Sequence, residues 1–94
     1  MIFAKATLYV INPEKIKPFV DYLYVLTKKI RMVETNLSFE YGLRETGEIV
    51  VLERWSTRDV YNQFMTNKEF ADEFETLSKM AKKSINLYEM DTVK

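Results

Sequence analysis

Apolar and polar residues alternate in blocks that switch period along the chain. From Ile2 to Ile11 the run is rich in β-branched and aromatic residues, and Pro13 bounds it, so it reads as a strand. Its even positions, Ile2, Ala4, Ala6, Leu8 and Val10, are all apolar. Its odd positions, Phe3, Lys5, Thr7, Tyr9 and Ile11, are mixed, so both faces are expected to be at least partly covered, as in an interior strand. Asn12-Pro13 then predicts a helix start, and Pro18 allows that start to be delayed toward 15–17. Ile16, Val20, Leu23, Leu26, Ile30 and Val33 recur every three or four residues and form the buried stripe, widened by Phe19 and Tyr22. Lys28, Lys29 and Arg31 follow the helix macrodipole at the C-terminal end.

Period two returns over 37–44 and 48–55, with Glu45-Thr46-Gly47 as the turn between them. A three-residue loop sets Arg44 opposite Glu48, Tyr41 opposite Val51 and Phe39 opposite Glu53. The two-residue alternative would set Glu40 against Glu53, like charge facing like charge. The first register places Leu37, Phe39, Tyr41, Leu43, Ile49, Val51, Glu53 and Trp55 on one face. Gly42 inside the strand predicts a bulge or a close backbone approach. Ser56 with Asp59 three residues on predicts an N-cap for a helix through Val60, Tyr61, Phe64 and Met65. Asn67 caps a further helix with the stripe Phe70, Phe74, Leu77 and Ala81, and a last strand covers about 84–93. The order is β-α-β-β-α-α-β across one domain, residues 1–94. That is the α+β, ferredoxin-like arrangement: a four-stranded antiparallel sheet with helices on one face.

A one-sided sheet leaves Ile2, Ala4, Ala6, Leu8, Val10, Val50 and Leu52 on its open face. So apolar a surface marks an interface, and a homodimer with sheets face to face is expected. Fourteen basic and fourteen acidic residues cancel, which argues against nucleic acid or an anionic membrane as partner. The absence of cysteine removes disulfides, thiolate nucleophiles and cysteine metal sites. The absence of histidine removes zinc hydrolases, Ser-His-Asp triads and histidine-ligated haem. No metal site is expected. The apolar run at the start is short for a signal peptide and broken by Lys5, and no stretch reaches the roughly 20 apolar residues of a membrane span. A cytoplasmic, soluble protein is the expectation.

The order of elements, the strand Ser38-Phe39-Glu40-Tyr41 and the run Leu52-Glu53-Arg54-Trp55-Ser56 before a short helix resemble the antibiotic biosynthesis monooxygenase (ABM) domain family. Asn67-Lys68-Glu69-Phe70 and Leu87-Tyr88-Glu89 fit the same pattern. The resemblance implies a dimeric α+β barrel with a pocket between sheet and helices. It also implies relatives that include cofactor-independent monooxygenases of quinols and polycyclic phenols, and haem-degrading enzymes. The haem-degrading branch uses a strand-one asparagine and a third-helix histidine, where this chain has Thr7 and Phe74. Many members also carry a histidine just before the Phe70 position, where this chain has Glu69.

The candidate pocket has a floor of Thr7, Tyr9, Phe39, Tyr41, Glu53 and Trp55 and a lid of Phe64, Phe70 and Phe74, suited to a small aromatic molecule. Glu53 is the candidate base, Trp55 its companion, and Lys5 or Tyr41 the group that steadies a phenolate; no cofactor is called for. A structural account stands beside this one: Trp55 and the phenylalanines as plain core, and Glu53 paired with Lys5 across neighbouring strands. A cavity on the order of a few hundred Å³ beside Glu53 and Trp55 separates a ligand-binding protein from an occluded barrel.

Overall fold

The computed structural model describes residues 1–93. The elements run β1 (Phe3–Val10), a 3-10 turn (Pro13–Lys15), α1 (Ile16–Arg31), β2 (Asn36–Glu45), β3 (Glu48–Trp55), α2 (Arg58–Thr66), α3 (Lys68–Met80) and β4 (Lys83–Asp91). The strands form one antiparallel sheet in the order β2-β3-β1-β4, so the fold is ferredoxin-like α+β. Among the described residues no helix is long and apolar enough to cross a membrane.

Helices cover one face of the sheet. Phe3, Tyr9 and Ile11 from the first strand region, Phe39 from β2, and Ile49, Val51 and Trp55 from β3 meet Phe19, Leu23, Leu26 and Ile30 of α1, Phe64 of α2 and Leu77 of α3. The α-helical start at Ile16 is the delayed one that Pro18 allows, since a proline in the first turn removes no hydrogen bond the helix could make. Asn12 makes no side-chain cap.

Strands β2 and β3 pair with Phe39 opposite Glu53 and Tyr41 opposite Val51, as expected. The ends of the hairpin differ from expectation. Glu45 faces Glu48 across a two-residue turn, and the register shifts between Leu43 and Glu45, so Arg44 is the extra residue and does not face Glu48 in the ladder. The bulge absorbs the residue that a three-residue loop was invoked to place, which preserves the Phe39–Glu53 register without like charges meeting there. A second shift falls between Asn36 and Ser38. Leu37 is the extra residue of this second shift and is 52% exposed, whereas Leu43 keeps its regular pairing with Ile49 but is 64% exposed beside the first bulge. Gly42 pairs regularly with Val50 and has open space around it among the described residues, so the bulges lie beside it rather than at it.

Gly47 has φ +81°, and its carbonyl accepts a 2.7 Å hydrogen bond from Ile11 N–H. A Cβ there would lie 2.8 Å from the Ile11 carbonyl oxygen. Gly47→Ala therefore combines left-handed strain with a backbone clash, and a loss above about 1 kcal/mol is expected in urea unfolding. Gly42→Ala, with room for its methyl, serves as the control.

At the start of α2 the cap is Thr57, whose hydroxyl accepts from Val60 N–H at 3.2 Å; Ser56 instead donates to the Thr35 carbonyl. The helix begins one residue later than the Ser56 signature suggested. Asn67 caps α3 as expected, accepting from Glu69 N–H at 3.0 Å.

The open face carries Ala4, Ala6 and Leu8 of β1 between Val50 and Leu52 of β3 and Ile85, Tyr88 and Met90 of β4. The small central residues are buried beneath their larger neighbours, while Leu52, Ile85, Tyr88 and Met90 remain exposed. The register of β1 and β4 shifts between Ala6 and Thr7, which leaves Leu87 as the extra residue. This irregularity sets Glu89, Asn86 and Ser84 opposite Lys5, Thr7 and Tyr9, on the helix-covered side.

Candidate active site

A cavity of about 340 Å³ lies between the β1–β4 half of the sheet and helices α2 and α3. Lys5, Thr7 and Tyr9 line it from β1, Glu53 from β3, Ser84 and Asn86 from β4, Tyr61 and Met65 from α2, and Phe74 and Ser78 from α3. It is apolar and aromatic on the helix side and hydroxyl- and amide-rich along β1 and β4. Two other hollows, of about 520 Å³ at Met1, Ile2, Thr92 and Val93 and about 460 Å³ between α1 and β2, contain no buried ionisable group.

Five of the residues named from sequence meet at this cavity: Lys5, Thr7, Tyr9, Glu53 and Phe74. Trp55 stands behind it. Its indole is fully buried and donates from Nε1 to Glu53 Oε1 at 2.9 Å. Phe64 is wedged between Trp55 and Phe70, with ring centroids 4.4 and 4.5 Å away, so Phe64 and Phe70 act as core rather than lid. Phe39 is fully buried and packs edge-on against Phe74 at 6.4 Å. Tyr41 lines the separate α1–β2 hollow with Tyr24 and Arg31. The sheet order explains its place: β2 is the edge strand at the opposite end from β4, and the cavity lies under β1 and β4.

Tyr61, Met65, Ser78, Ser84 and Asn86 were not named from sequence as site residues. Tyr61 and Met65 lie on the apolar stripe of α2 and read there as core. Ser84 and Asn86 face the cavity through a strand register that no local signal announced.

Glu53 is buried, and burial pushes its carboxyl up to about 7; the Trp55 indole and the Lys5 ammonium oppose the shift, and the Glu89 carboxylate adds to it. Desolvation dominates because a carboxylate only 3% exposed has lost most of its water. Tyr9 and Tyr61 are pushed up as well, by burial first and then by the charge of Glu53. Both therefore keep their protons and present O–H donors. Lys5 is the register partner of Glu53, yet its Nζ bonds Glu89 Oε2 at 2.9 Å and lies 5.8 Å from the centre of the Tyr61 ring. The cross-strand pair expected between Lys5 and Glu53 does not form; Glu89 takes the ammonium. Glu89 in turn is held below the usual carboxylate range, first by its bond from Lys5. Around the aromatic-sided hollow stand a buried carboxyl raised to about 7, two protonated tyrosines and an ammonium.

The same chain is similar throughout its length to several solved structures. A conserved protein from Methanosarcina mazei Go1 superposes with a TM-score of 0.89 at 16% identity, covering 99% of this chain and 94% of that one. Rv0793 from Mycobacterium tuberculosis gives 0.79 at 13% identity, with complete coverage of both chains. SnoaB, a cofactor-independent oxygenase from Streptomyces nogalater, gives 0.83 at 8% identity, covering 99% and 94%. At such identities the likeness is one of fold. No curated protein matches the sequence significantly. The family model for antibiotic biosynthesis monooxygenase matches residues 1–80, which include β1, β3 with Glu53 and Trp55, and both helices over the cavity; the chain belongs to that family.

Proposed function

We propose that the protein is a small monooxygenase, working without a cofactor, that oxidises a quinol-like or polycyclic phenolic substrate in the cavity beside Glu53. The observation that carries this reading is the buried Glu53 carboxyl, raised to about 7, on the wall of a 340 Å³ cavity with aromatic sides. A carboxyl at that value is a carboxylate strong enough to take a phenolic proton at neutral pH. The phenolate is electron-rich and reduces dioxygen itself. One oxygen atom enters the ring, the other leaves as water, and a quinol becomes a hydroxyquinone with no external reductant. Tyr9 and Tyr61 donate hydrogen bonds to the oxyanion, Lys5 adds positive charge, and the helices over the cavity keep water away.

Oxygen uptake with a panel of hydroquinones and anthrones, with product identified by mass, tests the reaction. Stoichiometric uptake with one oxygen atom in the product is expected. Binding of the same compounds without uptake would leave a binding module for aromatic ligands and sink the enzymatic reading.

The working unit in this reading is a homodimer joined through the open sheet face, supported by the exposed Leu52, Ile85, Tyr88 and Met90 around Ala4, Ala6 and Leu8. Light scattering at micromolar concentration is expected to give twice the chain mass. Leu52→Lys places an ammonium within that face and is expected to shift the protein to monomer.

A further inference from the structure

Lys5 stands on a central strand between two carboxylates, opposite Glu53 on β3 and opposite Glu89 on β4. Its ammonium bonds directly to one of them. Nζ lies 2.9 Å from Glu89 Oε2, and no ion pair joins it to Glu53 among the described residues. Glu89 is fixed from two further sides. Asn86 Nδ2 donates to its Oε2 at 2.6 Å, and Arg58 Nη1, from the first turn of α2, donates to its Oε1 at 3.3 Å. Arg58 is itself tied to Asp91 at 3.3 Å and stacks over Phe3, its guanidinium 4.6 Å from the ring centre. Glu89 is thus anchored by α2 and β4 in the place where Lys5 meets it. Glu53 receives one bond, from Trp55.

The choice has a physical reason. Glu89 keeps part of its hydration and is inexpensive to hold as a carboxylate, whereas charging Glu53 costs desolvation. An ammonium shared between the two settles on the one already ionised.

We propose that Glu89 is a positioning residue for Glu53: by holding Lys5 Nζ it withholds the ammonium from the Glu53 carboxyl and leaves that carboxyl free to exchange a proton with a ligand. The proposal rests on the reading of Glu53 as the base. With Lys5 bonded to it directly, Glu53 would be locked as an ionised half of a buried pair and would be a poor proton acceptor. The groups that face Glu53 are Lys5 and Tyr9 from β1, Trp55 from its own strand, Tyr61 from α2 and Glu89 from β4; Phe39 faces it from β2, and Phe74 and Ser78 line the cavity from α3. Glu89 has two routes to Glu53, through Lys5 and through its own negative charge, and both make protonation of Glu53 easier. They separate in a double-variant cycle.

Trp55 is the sole tryptophan and donates to Glu53, so its fluorescence reads the ionisation of Glu53 without any turnover. The experiment titrates that fluorescence from about pH 4 to 9, in the wild type and in Glu89→Gln, Lys5→Met and the double variant. Glu53→Gln identifies the transition by abolishing it. Glu89→Gln is expected to lower the midpoint by about one pH unit or more as Lys5 turns to Glu53. With Lys5 already removed, the same substitution is expected to move it less than half as far. Glu89→Asp, which keeps the charge but shortens the reach to Lys5 Nζ, is expected to give a smaller shift in the same direction and serves if Glu89→Gln does not fold. An unchanged midpoint in Glu89→Gln, or an equal shift with Lys5 absent, overturns the proposal. The acid limb of oxygen uptake should follow the fluorescence midpoint. If the midpoints move as expected while no form consumes oxygen, the positioning role stands and the reading of Glu53 as a catalytic base fails.

Discussion

Glu53→Gln is expected to lower kcat for quinol oxidation by about 10²- to 10⁴-fold, the range of a positioned general base, while the protein stays folded. The amide is nearly isosteric and its oxygen still accepts from Trp55 Nε1, so the cavity keeps its shape. What disappears is the proton acceptor. The fall should appear in kcat more than in KM, because the carboxylate acts on a proton in flight rather than on the resting ligand. A variant retaining most of its turnover would remove Glu53 from the reaction.

The same substitution has an opposite effect on stability. The folded-state value of about 7 stands above the ordinary 4.5, so between these values the folded chain binds more protons than the unfolded one. As far as this group is concerned, its stabilisation is fully present below pH 4.5, is lost as pH rises from there through 7, and levels off above. The loss is on the order of 3 kcal/mol. Glu53→Gln carries no such slope. Urea unfolding at pH 5 and pH 8 should show the wild type weakening between the two and the variant gaining relative to it at pH 8. A site residue whose neutralisation stabilises the fold is one whose charge the fold did not require.

The second large effect belongs to Trp55. Its indole is fully buried, 4.4 Å from Phe64 and 5.9 Å from Tyr61 by ring centroid, and the contacts continue through Phe64 to Phe70 and Phe74. This chain of rings fastens α2 and α3 onto the end of β3. Trp55→Ala opens a void at its root, and a loss of about 3–5 kcal/mol is expected. For a domain of this size that is a large share of a total of about 5–15 kcal/mol, and thermal unfolding should shift down by roughly 15 °C or more. Trp55→Phe keeps most of the packing and removes the N–H that favours the ionised Glu53. It should cost far less stability and move the acid limb of oxygen uptake upward, the readout that remains once the sole tryptophan is gone.

Strand alternation alone carries Glu53 and Trp55 to the helix-covered face, because a period of two admits one answer once Phe39 is set opposite Glu53. The same logic fails for Leu37 and Leu43. Leu37 is itself the extra residue of one bulge and Leu43 stands beside the other, and an extra residue in one strand is invisible to a count of apolar positions. The capping site moved from Ser56 to Thr57 because two adjacent hydroxyls can each serve, and tertiary contact with Thr35 decided between them. At the site, aromatic character admitted two accounts, lid or plain core, and Phe64 and Phe70 fill the core against Trp55. The polar wall was hidden for another reason. Ser84, Asn86 and Glu89 reach the cavity side through the irregularity at Leu87, and the partner of Lys5 followed from it.

Strand β4 has two audiences. Ser84 and Asn86 line the cavity and Glu89 holds Lys5 beside it, while Ile85, Tyr88 and Met90 stand on the open face. It is an edge strand, joined to the sheet only through β1. In the proposed dimer, a ligand in the cavity and a partner at the open face would act on this one strand, and any coupling between them would be reciprocal: whatever factor one applies to the other is returned in full.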